Sequence, residues 1–532
     1  APVGLCDDPV NQTQIPLYVD FAKDGHLAVC GNATSGKSTF LQTLIWSLIN
    51  MYTPAQLNVY AIDYSNHMLQ AFEEDKHIGG IMYENDTEKT EKFFYMISDI
   101  LKNRKKTVRG GSFGQYIRAH GYVMPAIVAV IDNYSSFREK TDNKYESIIW
   151  ELSRDGAAFG IFLVISSGGF GSSEIQNKIA DNIRNVITLD MGDKLRYIDL
   201  LRTSHIDILP EQNRKGRGLV TADGTILEFQ TAVCMEADDD YERSEKIKSA
   251  CEDMNLHFDG AGAVHVPEIP EKPTWFSLSE NPQFNEALET GDLLPFAYEQ
   301  KTASLYSIDL SDTFCYAISG KSRSGRTETL KVIAAAAQGN GDLCIIDSPD
   351  GQLKHFAAKL DSAYVSSREE LFDFAKELAE TFKTRNRKKR ELLESGAEDA
   401  EIYRKMCSER RKWIFVSDFA SFLETVYKSG EKIGSMAPFF ENILEKGRLH
   451  NIYFVFDINT DETVSMLSRK LYGTVSGYRT GVHLGGALSN QKIFDCSSIP
   501  YVEQTKVYKP GVGMAFDADG ATKIVLPSSK GV

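Results

Sequence analysis

Gly31-Asn32-Ala33-Thr34-Ser35-Gly36-Lys37-Ser38 fits the phosphate-loop pattern GxxxxGK[ST] at every fixed position. An apolar strand pattern, His26 to Cys30, runs into it. A helix pattern runs out of it, with Phe40, Leu41, Leu44, Ile45, Leu48 and Ile49 on one face and Pro54 just past the end. Strand, loop, helix is the context this motif needs. Backbone N–H groups of residues 33 to 38 can converge on phosphate oxygens at the helix N-terminus. Lys37 can reach the β- and γ-phosphates, and the Ser38 hydroxyl can ligate Mg²⁺. With the adjoining Thr39, the loop predicts an ATP site.

Working outward, Asp132 ends the buried-strand run Ala126 to Ile131. This is the Walker B layout, in which a carboxylate beside the phosphate loop helps hold Mg²⁺. Many motors place a Glu next, to activate water. Here that position is Asn133, and an amide cannot act as a base. The expectation is nucleotide binding with very slow hydrolysis, unless another carboxylate takes the role.

The chain repeats itself. Asp63, Arg104, Asp132, Ile161 and Gly216 mark strand or helix ends that recur in order at Asp347, Arg387, Asp418, Ile452 and Gly511, offset by 284, 283, 286, 291 and 295 residues. In the second copy, Ser367 and Glu370 form a capping-box pattern ahead of a helix carrying Leu371, Phe374, Leu378 and Phe382. The fold class is α/β: two tandem P-loop domains, each a mainly parallel sheet flanked by helices. The boundaries are 1–262, a Pro-bearing linker 263–275, and 276–532. The second loop reads Gly320-Lys321-Ser322-Arg323-Ser324-Gly325-Arg326-Thr327. Both glycines and the hydroxyl persist, but Arg326 replaces the lysine, and a planar guanidinium does not substitute for an ammonium in a tight loop. Asp418 matches Asp132 and is followed by Phe419. The second copy reads as a degenerate site with a structural or ligand-receiving role.

Arg448, and Arg154 in the first copy, are candidate arginine fingers toward a neighbouring module. The basic runs at 102–106 and 385–390 end amphipathic helices, where cations complement the helix dipole. The net charge of −15 weighs against nucleic acid as the main partner. The eight cysteines form no CxxC and read as small buried hydrophobes. No apolar run is long enough to span a membrane. The absent initiator Met suggests a piece of a longer chain.

The stretches GHLAVCGNATSGKSTFLQTLIWSL, LNVYAIDYSNHMLQAF, KHIGGIMYENDTEK and PAIVAVIDN resemble an FtsK/SpoIIIE-type motor domain. The tandem arrangement and the opening GLCDDPVNQTQIPLYVD resemble the EssC/YukB/EccC family, the membrane-anchored ATPases of bacterial type VII secretion. The resemblance implies the last two of three cytoplasmic ATPase modules of a cell-membrane protein, binding ATP and Mg²⁺. It also implies assembly with the parent chain's other modules, a hexamer in the working system, and secreted WXG-type helical substrates. DNA-pumping relatives carry a TQRP-like segment where this chain has Ser166-Ser167-Gly168-Gly169. Two other classes stay open: an FtsK/SpoIIIE-type DNA translocase, and a non-catalytic scaffold stiffened by nucleotide.

Overall fold

The computed structural model describes residues 1–211, 214–222, 224–446 and 450–532. They form two compact units, Ala1–Glu268 and Ile269–Val532. The stretch expected as a linker is anchored at both ends. Ala263 N–H donates to Lys76 O (2.7 Å) and Val266 N–H to Gly79 O (2.8 Å), inside the first unit. Trp275 N–H donates to Ser528 O (2.8 Å), inside the second.

The first unit holds ten strands: β1 (Pro2–Asp8), β2 (Thr13–Tyr18), β3 (Leu27–Cys30), β4 (Leu57–Asp63), β5 (Ile78–Met82), β6 (Ala126–Asp132), β7 (Ile161–Ser167), β8 (Asn185–Thr188), β9 (Arg217–Ala222) and β10 (Thr225–Thr231). Their order is β2-β1-β10-β9-β8-β3-β7-β6-β4-β5. The six strands from β8 to β5 are parallel, and the other four extend the sheet antiparallel. Burial follows this division. Strands β3, β4 and β7 are buried at every residue, as strands covered on both faces must be. Strand β10 alternates, as a sheet wet on one face does. Val29 packs with Phe40 and Leu44 on one side, while Ala28 and Cys30 pack with Phe94 and Phe137 on the other.

The second unit holds β11 (Leu293–Glu299), β12 (Leu305–Asp309), β13 (Cys315–Gly320), β14 (Asp342–Ile346), β15 (Ala363–Val365), β16 (Lys412–Val416), β17 (Ile452–Asn459), β18 (Gly481–Leu484), β19 (Val512–Asp517) and β20 (Gly520–Val525). Adding ten to each strand number of the first sheet reproduces the second, β12-β11-β20-β19-β18-β13-β17-β16-β14-β15. The repeat is therefore one fold drawn twice.

The loop helix runs Lys37–Met51 and stops at Tyr52, whose N–H donates to Leu48 O. The Ser367/Glu370 capping box opens a helix over Arg368–Glu394. One arginine in each basic run departs from the surface reading. Arg104 is buried and donates to the carbonyls of Phe159, Gly160 and Pro125 (2.6–3.1 Å). Arg385, two residues before the one matched to it by sequence, does the same for His450, Asn451 and Arg410. Each guanidinium satisfies carbonyls that chain turns leave inside the protein.

Candidate functional site

The two loops share one backbone shape. Thr34 and Arg323 both have φ of 62°, and Gly36 and Gly325 have φ of 105° and 97°. The left-handed glycine opens the following helix in each unit. In the first unit, Gly31 N–H donates to Ser167 O (3.1 Å) and Asn32 N–H to Asp190 O (2.9 Å), which fixes the loop against β7 and the segment after β8. Gly216 N–H donates to Ser35 O (2.9 Å) and covers Gly36. Residues Ala33, Thr34 and Thr39 stay on this loop and the first helical turn.

Lys37 Nζ donates to Gly31 O and Asn32 O (both 2.8 Å), at the centre of the loop. Burial pushes its pKa down, and Asp132 and Glu174 pull it back up. The Ser38 hydroxyl donates to Asp132 Oδ2 (2.6 Å), across 94 residues of sequence. The Ser166 hydroxyl donates to Asp132 Oδ1. Asp132 is buried, and burial raises its pKa, opposed by these two hydroxyls. A buried carboxylate short of positive charge, touching a loop hydroxyl, fits a hard divalent cation. Ser38 and Asp132 are the residues that would hold Mg²⁺.

Asn133 does not face this cluster. It has φ of 61° and caps the helix Tyr134–Lys140, with Nδ2 donating to Tyr64 O (3.0 Å). Two groups not singled out from the sequence lie nearer the loop. Glu174 Oε2 accepts from the hydroxyls of Ser135 and Ser167 (2.5 Å for Ser167) and from Gly168 N–H (3.0 Å). Arg196 donates to Asn32 Oδ1 (2.8 Å) and Gly168 O (2.7 Å), tying the loop to the end of β7. The only hint in sequence was the unusual Ser166-Ser167-Gly168-Gly169 segment itself.

The second unit corrects one correspondence. Strand register pairs Asp63 with Asp132, and in β14 and β16 pairs Ile346 with Val416. The residue in the Asp132 place is therefore Ser417, and Asp418 takes the place of Asn133. Asp418 lies past β16 as the cap of the helix Phe419–Tyr427, accepting from Ser421 N–H (3.1 Å). Phe419 is a core side chain at 0% exposure. The match slipped by one because the run ending β16 is followed by Ser417 and then Asp418, and sequence alone pairs the two aspartates rather than the strand ends. The carboxylate has moved one strand over: Asp457, on β17, stands where the first unit has Ser166. The Asp/Ser pair of the first site is thus exchanged between neighbouring strands.

Arg326 forms an ion pair with the buried Asp457, and Thr327 lies 3.4 Å from the same carboxylate. Ser322 N–H, in the loop itself, donates to Asp461 Oδ2 (3.2 Å). The second loop keeps its shape, but the chain's own carboxylates take the loop amide and the cation. Gly320, Lys321, Ser324 and Gly325 complete that loop, and Ser324 N–H donates to Lys321 O (3.2 Å).

Residues 4–233 match the FtsK/SpoIIIE family pattern. The first unit carries the FtsK/SpoIIIE pattern over most of its length. Beyond it, the chain is 25% identical over 395 residues to the ESX secretion system protein EccC of Geobacillus thermodenitrificans, covering 73% of this chain and 26% of that protein. It is 28% identical over 348 residues to EccC of Thermomonospora curvata, covering 63% and 25%. The chain spans about a quarter of the length of these curated relatives. EssC ATPases 2 and 3 of Geobacillus thermodenitrificans superpose with a TM-score of 0.77 at 21% identity, covering 99% of this chain and 96% of that one. EccC ATPases 2 and 3 of Thermomonospora curvata, in complex with a signal sequence peptide, superpose at 0.59 and 20% identity, covering 99% and 93%. Both units thus have the fold of the tandem type VII secretion ATPase modules. Among the described residues no helix is long and apolar enough to cross a membrane.

Of the candidate arginine fingers, Arg154 lies on the surface of the first unit. It is half exposed, paired with Asp155 through two bonds of 2.7 Å and stacked on Trp150. Arg448 lies outside the described residues.

Proposed function

We propose that this chain is a pair of nucleotide-binding modules from a type VII secretion ATPase of the EccC/EssC kind. The first module binds Mg-ATP through the loop Gly31–Thr39 and Asp132. The second, degenerate module receives substrate or a partner. The observation that carries the reading is that Asp132, 94 residues on, meets Ser38 beside the Lys37 ammonium of the loop. Asn133, turned into a helix cap, leaves no carboxylate directly after Asp132, which supports slow turnover. The swapped carboxylates around Arg326 support one nucleotide per chain rather than two. The parent protein would be anchored in the cell membrane with these modules in the cytoplasm. It would assemble as a hexamer with its other modules and export WXG-type helical proteins, in a role linked to virulence. A relative seated with a signal sequence peptide supports a peptide ligand of that class. The division into 1–262 and 276–532 is then a division between the nucleotide module and the receiving module.

The test is nucleotide binding by the full chain. Lys37→Ala removes a charge-assisted phosphate contact and is expected to abolish most ATP binding, with retention falling from one per chain toward zero. Unchanged affinity overturns the assignment.

A further inference from the structure

The residue after Asp132 cannot take a proton from water, yet a carboxylate stands at the same edge of the sheet. Glu174 belongs to a closed turn after β7. Gly171 N–H donates to Ile175 O (2.9 Å), Ile175 N–H to Gly169 O (3.3 Å), and the Ile175 side chain is fully buried. This anchors the backbone on both sides of Glu174. The side chain is oriented as tightly, because Oε2 accepts from Ser135, Ser167 and Gly168. Its other oxygen, Oε1, takes no hydrogen bond among the described residues. A Cβ on Gly168 would lie 2.7 Å from Oε1, so only glycine there leaves the carboxylate its place.

The location is equally specific. Strand β7 lies between β3, which feeds the phosphate loop, and β6, which ends at Asp132. Ser167 pairs with Cys30, the residue before the loop. A group at the end of β7 therefore stands between the loop and Asp132, on the side where a terminal phosphate bound by Lys37 would be attacked. Glu174 is close enough to Lys37 to act on it electrostatically, favouring its charged form.

We propose that Glu174 is the carboxylate that orients the attacking water in the first module, supplied from the turn after β7. The inference rests on the reading of this loop as an ATP site. In the step, the water oxygen forms a bond to Pγ. The bond from Pγ to the β–γ bridging oxygen breaks, and its electron pair leaves with ADP. One water proton stays on the phosphate product; the other passes to Glu174 Oε1 and on to solvent. Oε2 stays locked by its three donors, so Oε1 is the working oxygen.

The experiment is single-turnover hydrolysis of Mg-ATP by the full chain, with nucleotide affinity measured separately. Glu174→Gln keeps an acceptor for the three donors and removes the base. It is expected to slow hydrolysis roughly 10²-fold, the lower end for a positioned general base, with affinity within about twofold. Gly168→Ala displaces the carboxylate without deleting it and should slow hydrolysis in the same direction. Unchanged hydrolysis in Glu174→Gln with binding intact overturns the proposal, as does a wild type that binds ATP and never hydrolyses it. A Glu174→Gln variant that loses affinity but hydrolyses bound ATP at the wild-type rate also overturns it. A wild type that fails to bind ATP overturns the ATP-site reading itself, and the affinity measurement shows which has failed.

Discussion

Asp457 gives the second module a stability that depends on pH in a calculable way. It is 2% exposed, and burial raises its pKa from 3.8 to about 7 despite the Arg326 guanidinium beside it; Asp418 and Glu462 push in the same direction as burial, and Thr327 opposes them. An acid with a raised folded pKa contributes stability that is complete below the unfolded value and is lost as pH rises through the folded one. The window therefore runs from about pH 4 to about pH 7. At about 1.4 kcal/mol per pH unit, the gap amounts to about 4 kcal/mol between the two plateaus, of which about 2–3 kcal/mol falls between pH 5 and 8. Asp457→Asn removes this slope while keeping a polar partner for Arg326. His483, buried with a pKa lowered to about 4, titrates in the same module with the opposite sign. The quantity to read is therefore the difference between wild type and variant. With Trp46 and Trp150 changed to Phe, the remaining tryptophans, Trp275 and Trp413, report urea unfolding of the second module alone. The stability of Asp457→Asn relative to wild type should rise by about 2–3 kcal/mol from pH 5 to pH 8. Parallel pH profiles, within about 0.5 kcal/mol, would refute the reasoning, since the uncertainty of a point-mutant comparison is of that order.

Two further outcomes follow from the second module's site. Arg326→Lys, Ser417→Asp, Asp457→Ser and Asp461→Asn together restore the first site's arrangement, and nucleotide retained per chain, measured by chromatography of the denatured protein, should rise from one to two. A value that stays at one refutes the idea that the chain's own carboxylates exclude phosphate. A C-terminal peptide from a secreted WXG-type protein, titrated into the full chain, should protect second-module amides from hydrogen exchange and bind with only mild salt dependence, as an amphipathic face on an apolar groove does. Protection confined to the first module contradicts the division of roles.

The sequence by itself determined the fold of each unit and the first loop. Short β-branched runs such as Ala126–Ile131, alternating with amphipathic helix patterns, read as strands of a covered parallel sheet, and GNATSGKS marks the turn between a strand and a helix. It also determined the repeat, because order and spacing survive where identity does not. Tertiary structure alone decided the chemistry around those loops. Asp132 and Ser166 meet because β6 and β7 are neighbours, and the exchange to Ser417 and Asp457 becomes visible only through strand register. Glu174 and Arg196 carry no motif; a turn and a helix after separate strands bring them to one sheet edge. Arg104 and Arg385 look like members of basic surface runs until packing sets each against buried carbonyls. Periodicity and loop motifs are local properties of a chain, whereas a charge acquires its role from what desolvates it and what faces it, and both are set by residues far away in sequence.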